Sequence, residues 1–138
     1  MRGGLSNMLE VKLKEIIKNN PSIMDLENDL KMLINEIVEK IKPKAIILAG
    51  SLAKGKFVRG MSDIDILIII ENVNYRTLLK AIKNVDVEIT MYTYDEIINS
   101  IREGNQFIKD AINNGIPLIG EEIVNEIIKY SKFKYSSI

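Results

Sequence analysis

Two aspartates, Asp63 and Asp65, stand one residue apart at the start of the most apolar run in the chain, Ile64 to Ile70. Side chains two apart on a β-strand share a face, so the two carboxylates would project together, a few ångströms apart. Such a pair needs either a shared proton or a cation between its members. The chain has no histidine and no cysteine, which removes imidazole catalysis, thiolate or His-based zinc sites and disulfides. Oxygen ligands alone favour magnesium or manganese. A third acid is offered by the polar face of the run Val85 to Met91, as Asp86 or Glu88. Three carboxylates around a divalent ion suit phosphoryl or nucleotidyl transfer.

Twelve residues before Asp63, Gly50-Ser51 closes another apolar run, Ala45 to Ala49. Glycine lets a phosphate approach the backbone, and the serine hydroxyl, successive N–H groups and a helix starting near Ser51 can all face its oxygens. Lys54, Lys56 and Arg59 lie in the following loop, where each could meet triphosphate charge. The order "GSLAKGK" lacks the spacing of a Walker loop. Taken singly, each feature has a plain structural explanation: surface charge for the cations, a solvated strand face for Asp86 and Glu88, and loop hydrogen bonding for Ser62. The conjunction of all of them is what points to a site.

The elements that must hold these residues follow from periodicity. Leu5, Leu9, Leu13, Ile16 and Ile17 give a first amphipathic helix, broken at "NNP". A second, capped by Ser22, carries Ile23, Leu26, Leu30, Leu33, Ile34, Ile37 and Ile41 and stops before Pro43. Ala45–Ala49 and Ile64–Ile70 are too short and too β-branched for helices and read as buried strands. Asn74–Lys83 has Tyr75, Leu78, Leu79 and Ile82 at helical spacing, whereas Val85–Met91 alternates as a strand. Thr93 and Glu96 form a capping box for a helix interrupted at Gly104. A further helix ends at Gly115, and after the connector Pro117 to Gly120 comes a last one, with a tail from Lys132 that reads as frayed. The domain expectation is a helical pair over 1–42, packed on or extending a body over 43–138.

The stretch "GSLAKGKFVRGMSDIDILI" resembles the signature of the DNA polymerase β-like nucleotidyltransferase superfamily, Gly-Ser followed about a dozen residues later by Asp-x-Asp. It is most similar to the small prokaryotic branch of minimal nucleotidyltransferases, and the likeness extends over about Lys44 to Glu122. The resemblance implies an α/β (α+β) fold, a small mixed sheet with helices packed on one side, here preceded by the two N-terminal helices. It implies transfer of a nucleoside monophosphate, AMP from ATP, to a hydroxyl with Mg2+ or Mn2+. Asp63 and Asp65 match the metal pair, Gly50 and Ser51 the triphosphate cradle, and the third acid falls on Glu88, with Asp86 as second choice. Lys54 and Arg59 are assigned to the nucleotide. Met61 departs from the usual small residue, and glutamate from the usual aspartate.

Many members of this branch pair with a HEPN-type toxin, so the expected acceptor is a hydroxyl on such a partner or a site shared in a homo-oligomer. The alternatives are an antitoxin-like binding subunit without catalysis and a small-molecule transferase of the aminoglycoside-modifying kind. Lysine plus arginine equals aspartate plus glutamate at 19 each, so bulk nucleic-acid binding has no support in the charge. With no apolar run near 20 residues and no signal peptide, a cytoplasmic chain free of membrane contact is expected.

Overall fold

The computed structural model describes residues 2–136, with side chains over 7–132. Helix α1 (Arg2–Asn19) is followed by a short 3-10 turn (Pro21–Leu26) and α2 (Glu27–Ile41). Next come β1 (Ala45–Ala49), the one-turn helix α3 (Gly50–Ala53), β2 (Ile64–Ile69), β3 (Thr77–Ile82) and β4 (Val85–Tyr92). The chain closes with α4 (Tyr94–Arg102), α5 (Gln106–Asn114), β5 (Ile116–Ile119) and α6 (Glu121–Ser136).

The five strands form one mixed sheet in the order β3-β4-β2-β1-β5. β2 runs parallel to β4, and the pairs β1/β2, β1/β5 and β3/β4 are antiparallel. The two central strands, β1 and β2, are apolar along nearly their whole length because both of their faces are covered. Ile46, Leu48, Ile64, Ile66, Ile68, Ile89 and Met91 look toward α1 and α2, where Leu9, Leu13, Ile16, Leu30, Ile34 and Ile37 complete one apolar cluster. Ala45, Ile47, Ala49, Leu67 and Ile69 look the other way, onto Ile97, Ile101, Ile108, Ala111, Ile112, Val124 and Ile127 of α4, α5 and α6. Thus the helices that follow the sheet pack on one side, and the N-terminal pair closes the opposite side.

Three local expectations are corrected. Asn74–Lys83 holds no helix: β3 pairs with β4 from Thr77↔Thr90 to Ile82↔Val85. Leu78 and Ile82 are four apart, a spacing that fits a helix face and equally one face of a strand, and pairing along β4 decides for the strand. The turn between β3 and β4 is Lys83-Asn84, both at positive φ (45° and 68°), which is the backbone of a tight two-residue hairpin. The segment read as a connector, Pro117 to Gly120, is largely strand β5, at the sheet edge where a proline without N–H is tolerated. Ser22 caps nothing: it lies within the 3-10 turn, and α2 begins at Glu27 without a side-chain cap.

Other expectations hold. Thr93 and Glu96 make a reciprocal capping box, with Glu96 N–H to Thr93 Oγ1 at 3.1 Å and Thr93 N–H to Glu96 Oε1 at 2.9 Å. α6 continues through Ser136, past the point where fraying was expected. Residues 137–138, and the side chains of Leu5 and of the tail beyond Lys132, lie outside what is described.

Because Ile34 is fully buried between α2 and the sheet while Met32 on the same helix is 68 % exposed, the two predict opposite outcomes. Ile34→Ala should lower unfolding stability by about 2–5 kcal/mol in urea titrations, and Met32→Ala should stay within about 0.5 kcal/mol of wild type.

Candidate active site

Asp65 lies at the centre of the acidic cluster. Its Cα partners are Ala49 across the antiparallel ladder and Glu88 across the parallel one. Residues in register on neighbouring strands share a face, so Asp65 and Glu88 project side by side, on the face that also carries Leu67, Ile69 and Ala49. Asp63 precedes the strand by one residue and is exposed, Asp65 is half-buried, and Glu88 is exposed. Burial first, then the negative charge of Glu88, then that of Asp63 raise the Asp65 carboxyl above its ordinary range. Asp86 sits one residue before the first β2/β4 pair, Ile64↔Val87, and is paired instead with Ala81 of β3.

Gly50 stands immediately after β1, at φ +65°, a left-handed conformation that glycine adopts without penalty. A Cβ at this position would overlap Asp65 Oδ2, so only glycine lets the β1–α3 turn close onto the carboxylate. The turn therefore brings Gly50-Ser51 to the acids, and Ala49 at the head of α3 supplies no side chain to its first amides. Ser62 does what its plain reading says: its hydroxyl accepts the Val58 N–H at 3.0 Å. Met61 is 86 % exposed at the tip of the same loop.

The cations are placed differently from the acids. Lys54 Nζ lies 2.9 Å from Asp110 Oδ2 of α5, and this ion pair, with a hydrogen bond from Asn114, holds the Asp110 carboxyl below its usual range. Arg59 binds the Asp25 carboxylate and donates to the Ser22 carbonyl at 3.1 Å, both in the 3-10 turn. Lys56 is exposed. The structure thus gathers Gly50, Ser51, Asp63, Asp65 and Glu88 around one sheet end, while Lys54 and Arg59 are engaged by carboxylates to either side. Asp25, expected to act with Ser22 in a helix cap, instead pairs with Arg59, and Asp110 has no sequence signal at all, since a lone acid on a helix or in a turn says nothing of its distant partner. Asn20 was read only as part of a helix break.

The donor set fits a hard divalent ion: oxygen ligands only, and a central carboxylate whose ionised form is disfavoured until positive charge approaches. Among the described residues no three acidic side chains converge tightly enough to enclose an ion as they stand. Ligation by all three requires rotation of Asp63 and Glu88, which their exposure permits.

A family profile for the nucleotidyltransferase domain matches residues 30–133, from within α2 into α6. The chain belongs to that family. No curated protein matches the sequence significantly. Within the nucleotidyltransferase domain, the matched span holds every acid of the cluster and the Gly-Ser turn, and leaves α1 and the 3-10 turn outside. Among the described residues no helix is long and apolar enough to cross a membrane.

The raised pKa of Asp65 sets a pH dependence. A carboxyl whose folded pKa exceeds its unfolded value, near 3.8, contributes its full stability below that value and loses it as pH rises through the folded pKa. In chelator, Asp65→Asn should therefore melt at a higher temperature than wild type near neutral pH. The difference should shrink and vanish as the pH is taken below about 4.

Proposed function

We propose that this nucleotidyltransferase domain transfers AMP from ATP, with Mg2+ or Mn2+, to a hydroxyl on a partner protein, of which a HEPN-type toxin is the expected example. The observation that supports this reading is the position of Asp65, in register with Ala49 just before the Gly50-Ser51 turn on one side and with Glu88 on the other. Asp63, Asp65 and Glu88 would hold the divalent ion, with Glu88 preferred to Asp86 because it is the acid in register with Asp65 and acts on its charge. When bound, the ion would neutralise triphosphate oxygens and acidify the attacking hydroxyl.

The chain's own residues have separate tasks. Gly50 and Ser51 would admit the β- and γ-phosphates to the backbone amides of α3. Glu88, exposed beside Asp65, would accept the proton of the acceptor hydroxyl as its oxygen bonds to the α-phosphorus and the bond to pyrophosphate breaks. Lys54 and Arg59 would reach the nucleotide only by leaving Asp110 and Asp25, exchanges of exposed ion pairs that cost little. That engagement also favours a second reading: a binding subunit that keeps the fold and acts by covering its partner.

ATP labelled in the α-phosphate, magnesium and a HEPN-type partner test both readings. Label should move to the partner, with loss of about 100-fold or more in rate for Asp63→Ala, Asp65→Ala and Glu88→Ala, and only a few-fold change for Asp86→Ala. Partner inhibition that survives all of these changes without label transfer would establish the binding subunit instead. Label on a small alcohol or aminoglycoside without any protein would point to the third class.

Magnesium together with ATP should raise the melting temperature of wild type but not of the Asp63→Ala, Asp65→Ala double variant. An equal shift in both proteins would remove the aspartates from the nucleotide site.

A further inference from the structure

Asn20 is 2 % exposed, and with Thr90 it is one of two buried polar residues among those described. Its amide makes three hydrogen bonds. Nδ2 donates to the Ile16 carbonyl at 2.8 Å and to the Leu52 carbonyl at 3.0 Å, and Oδ1 accepts the Phe57 N–H at 3.2 Å. The first bond holds the end of α1, and the other two hold the far end of α3 and the loop beyond it. A buried amide in an apolar cluster is costly unless satisfied, so these bonds fix its position strongly.

α3 is only four residues long, too short to hold its own orientation. Its first residue, Gly50, is packed against Asp65, and its third, Leu52, is fastened by Asn20. The same loop is drawn to the same place by Arg59 on Ser22 and Asp25, and Gly55 lies against Asn19. Ser51 thus sits between two anchors, Asp65 on the sheet and Asn20 at the end of α1.

We propose that Asn20 is a positioning residue for nucleotide binding, a latch by which the N-terminal helices set the Gly50-Ser51 turn against the acids. The proposal rests on the nucleotide-binding reading above. Asn20 lies outside residues 30–133, the span that matches the family. It gives α1 a role in the site that its burial alone does not assign.

The test compares Mg·ATP affinity by calorimetry in wild type, Asn20→Ala and Leu9→Ala, at a temperature where all three are folded. Leu9, on α1 like the carbonyl of Ile16 that Asn20 binds, is buried in the apolar cluster that also holds Leu52 and Phe57 and has no side-chain hydrogen-bonding group, so its truncation reports lost packing without loss of the latch bonds. Asn20→Ala should weaken Mg·ATP binding by about tenfold, a misplaced turn being felt directly by the phosphates, while Leu9→Ala keeps wild-type affinity. Equal affinity in all three, or equal loss in both variants, overturns the latch. Absence of binding in wild type instead overturns the nucleotide-binding reading, and the latch with it.

Should Asn20→Ala not fold, hydrogen exchange on the wild-type protein decides. Mg·ATP should slow exchange over residues 15–23 together with 50–60, and protection confined to 50–66 would overturn the proposal.

Discussion

The close approach of the Gly50 backbone to the Asp65 carboxylate is the constraint on which the rest of the site depends. It exists because β1 and β2 are antiparallel and in register at Ala49↔Asp65, so the residue after Ala49 must pass over the Asp65 side chain. A side chain at that residue would collide with the carboxylate, and the positive φ of Gly50 turns the chain directly into α3. Asp65 is half-buried beside this turn, and burial is the largest cause of its raised pKa, ahead of the charges of Glu88 and Asp63. The tight turn and the partly buried acid thus meet at one point of the sheet end.

The sheet around this contact is divided by charge as well as by face. On the α1–α2 face the positions of β1, β2 and β4 near the site are aliphatic and buried. On the other face the aliphatic residues stop at Leu67 and Ala49, and the positions beyond them are Asp65, Asp63 and Glu88. The acids thus sit where the cover provided by α4, α5 and α6 ends. This gives them solvent access on one side and an apolar floor on the other, the setting in which charge interactions are stronger than on an open surface.

Two parts of the molecule outside the strands hold the loop that joins the Gly-Ser turn to the aspartates. α5 engages Lys54 through Asp110, and the junction of α1 with α2 engages Arg59 and the backbone around Leu52 and Phe57. Lys54 and Arg59 therefore do not hang free over the acids. They tie the loop down on either flank, which keeps the connecting chain between α3 and β2 close to the sheet without helix or strand of its own.

Much of this was legible in the sequence, and the reason is local. β1 and β2 are short, isoleucine-rich and largely apolar runs bounded by proline, glycine and aspartate, the α4 capping box pairs residues three apart, and Gly-Ser with Asp-x-Asp is a short motif whose chemistry is stated by its residue types. The choice between Asp86 and Glu88 was not legible, because both lie on the same strand face; the parallel pairing of β2 with β4 put Glu88, and not Asp86, beside Asp65. Nor could periodicity separate helix from strand at Leu78 and Ile82, where a spacing of four serves either. Pairing across the sheet made β3 and β5 strands, and contacts more than thirty residues apart gave Asn20 and Arg59 their partners. The sequence by itself determined which chemical groups are available and which short elements carry them. Only the tertiary structure decided which groups meet, because strand register and long-range hydrogen bonds depend on residues that no local window contains.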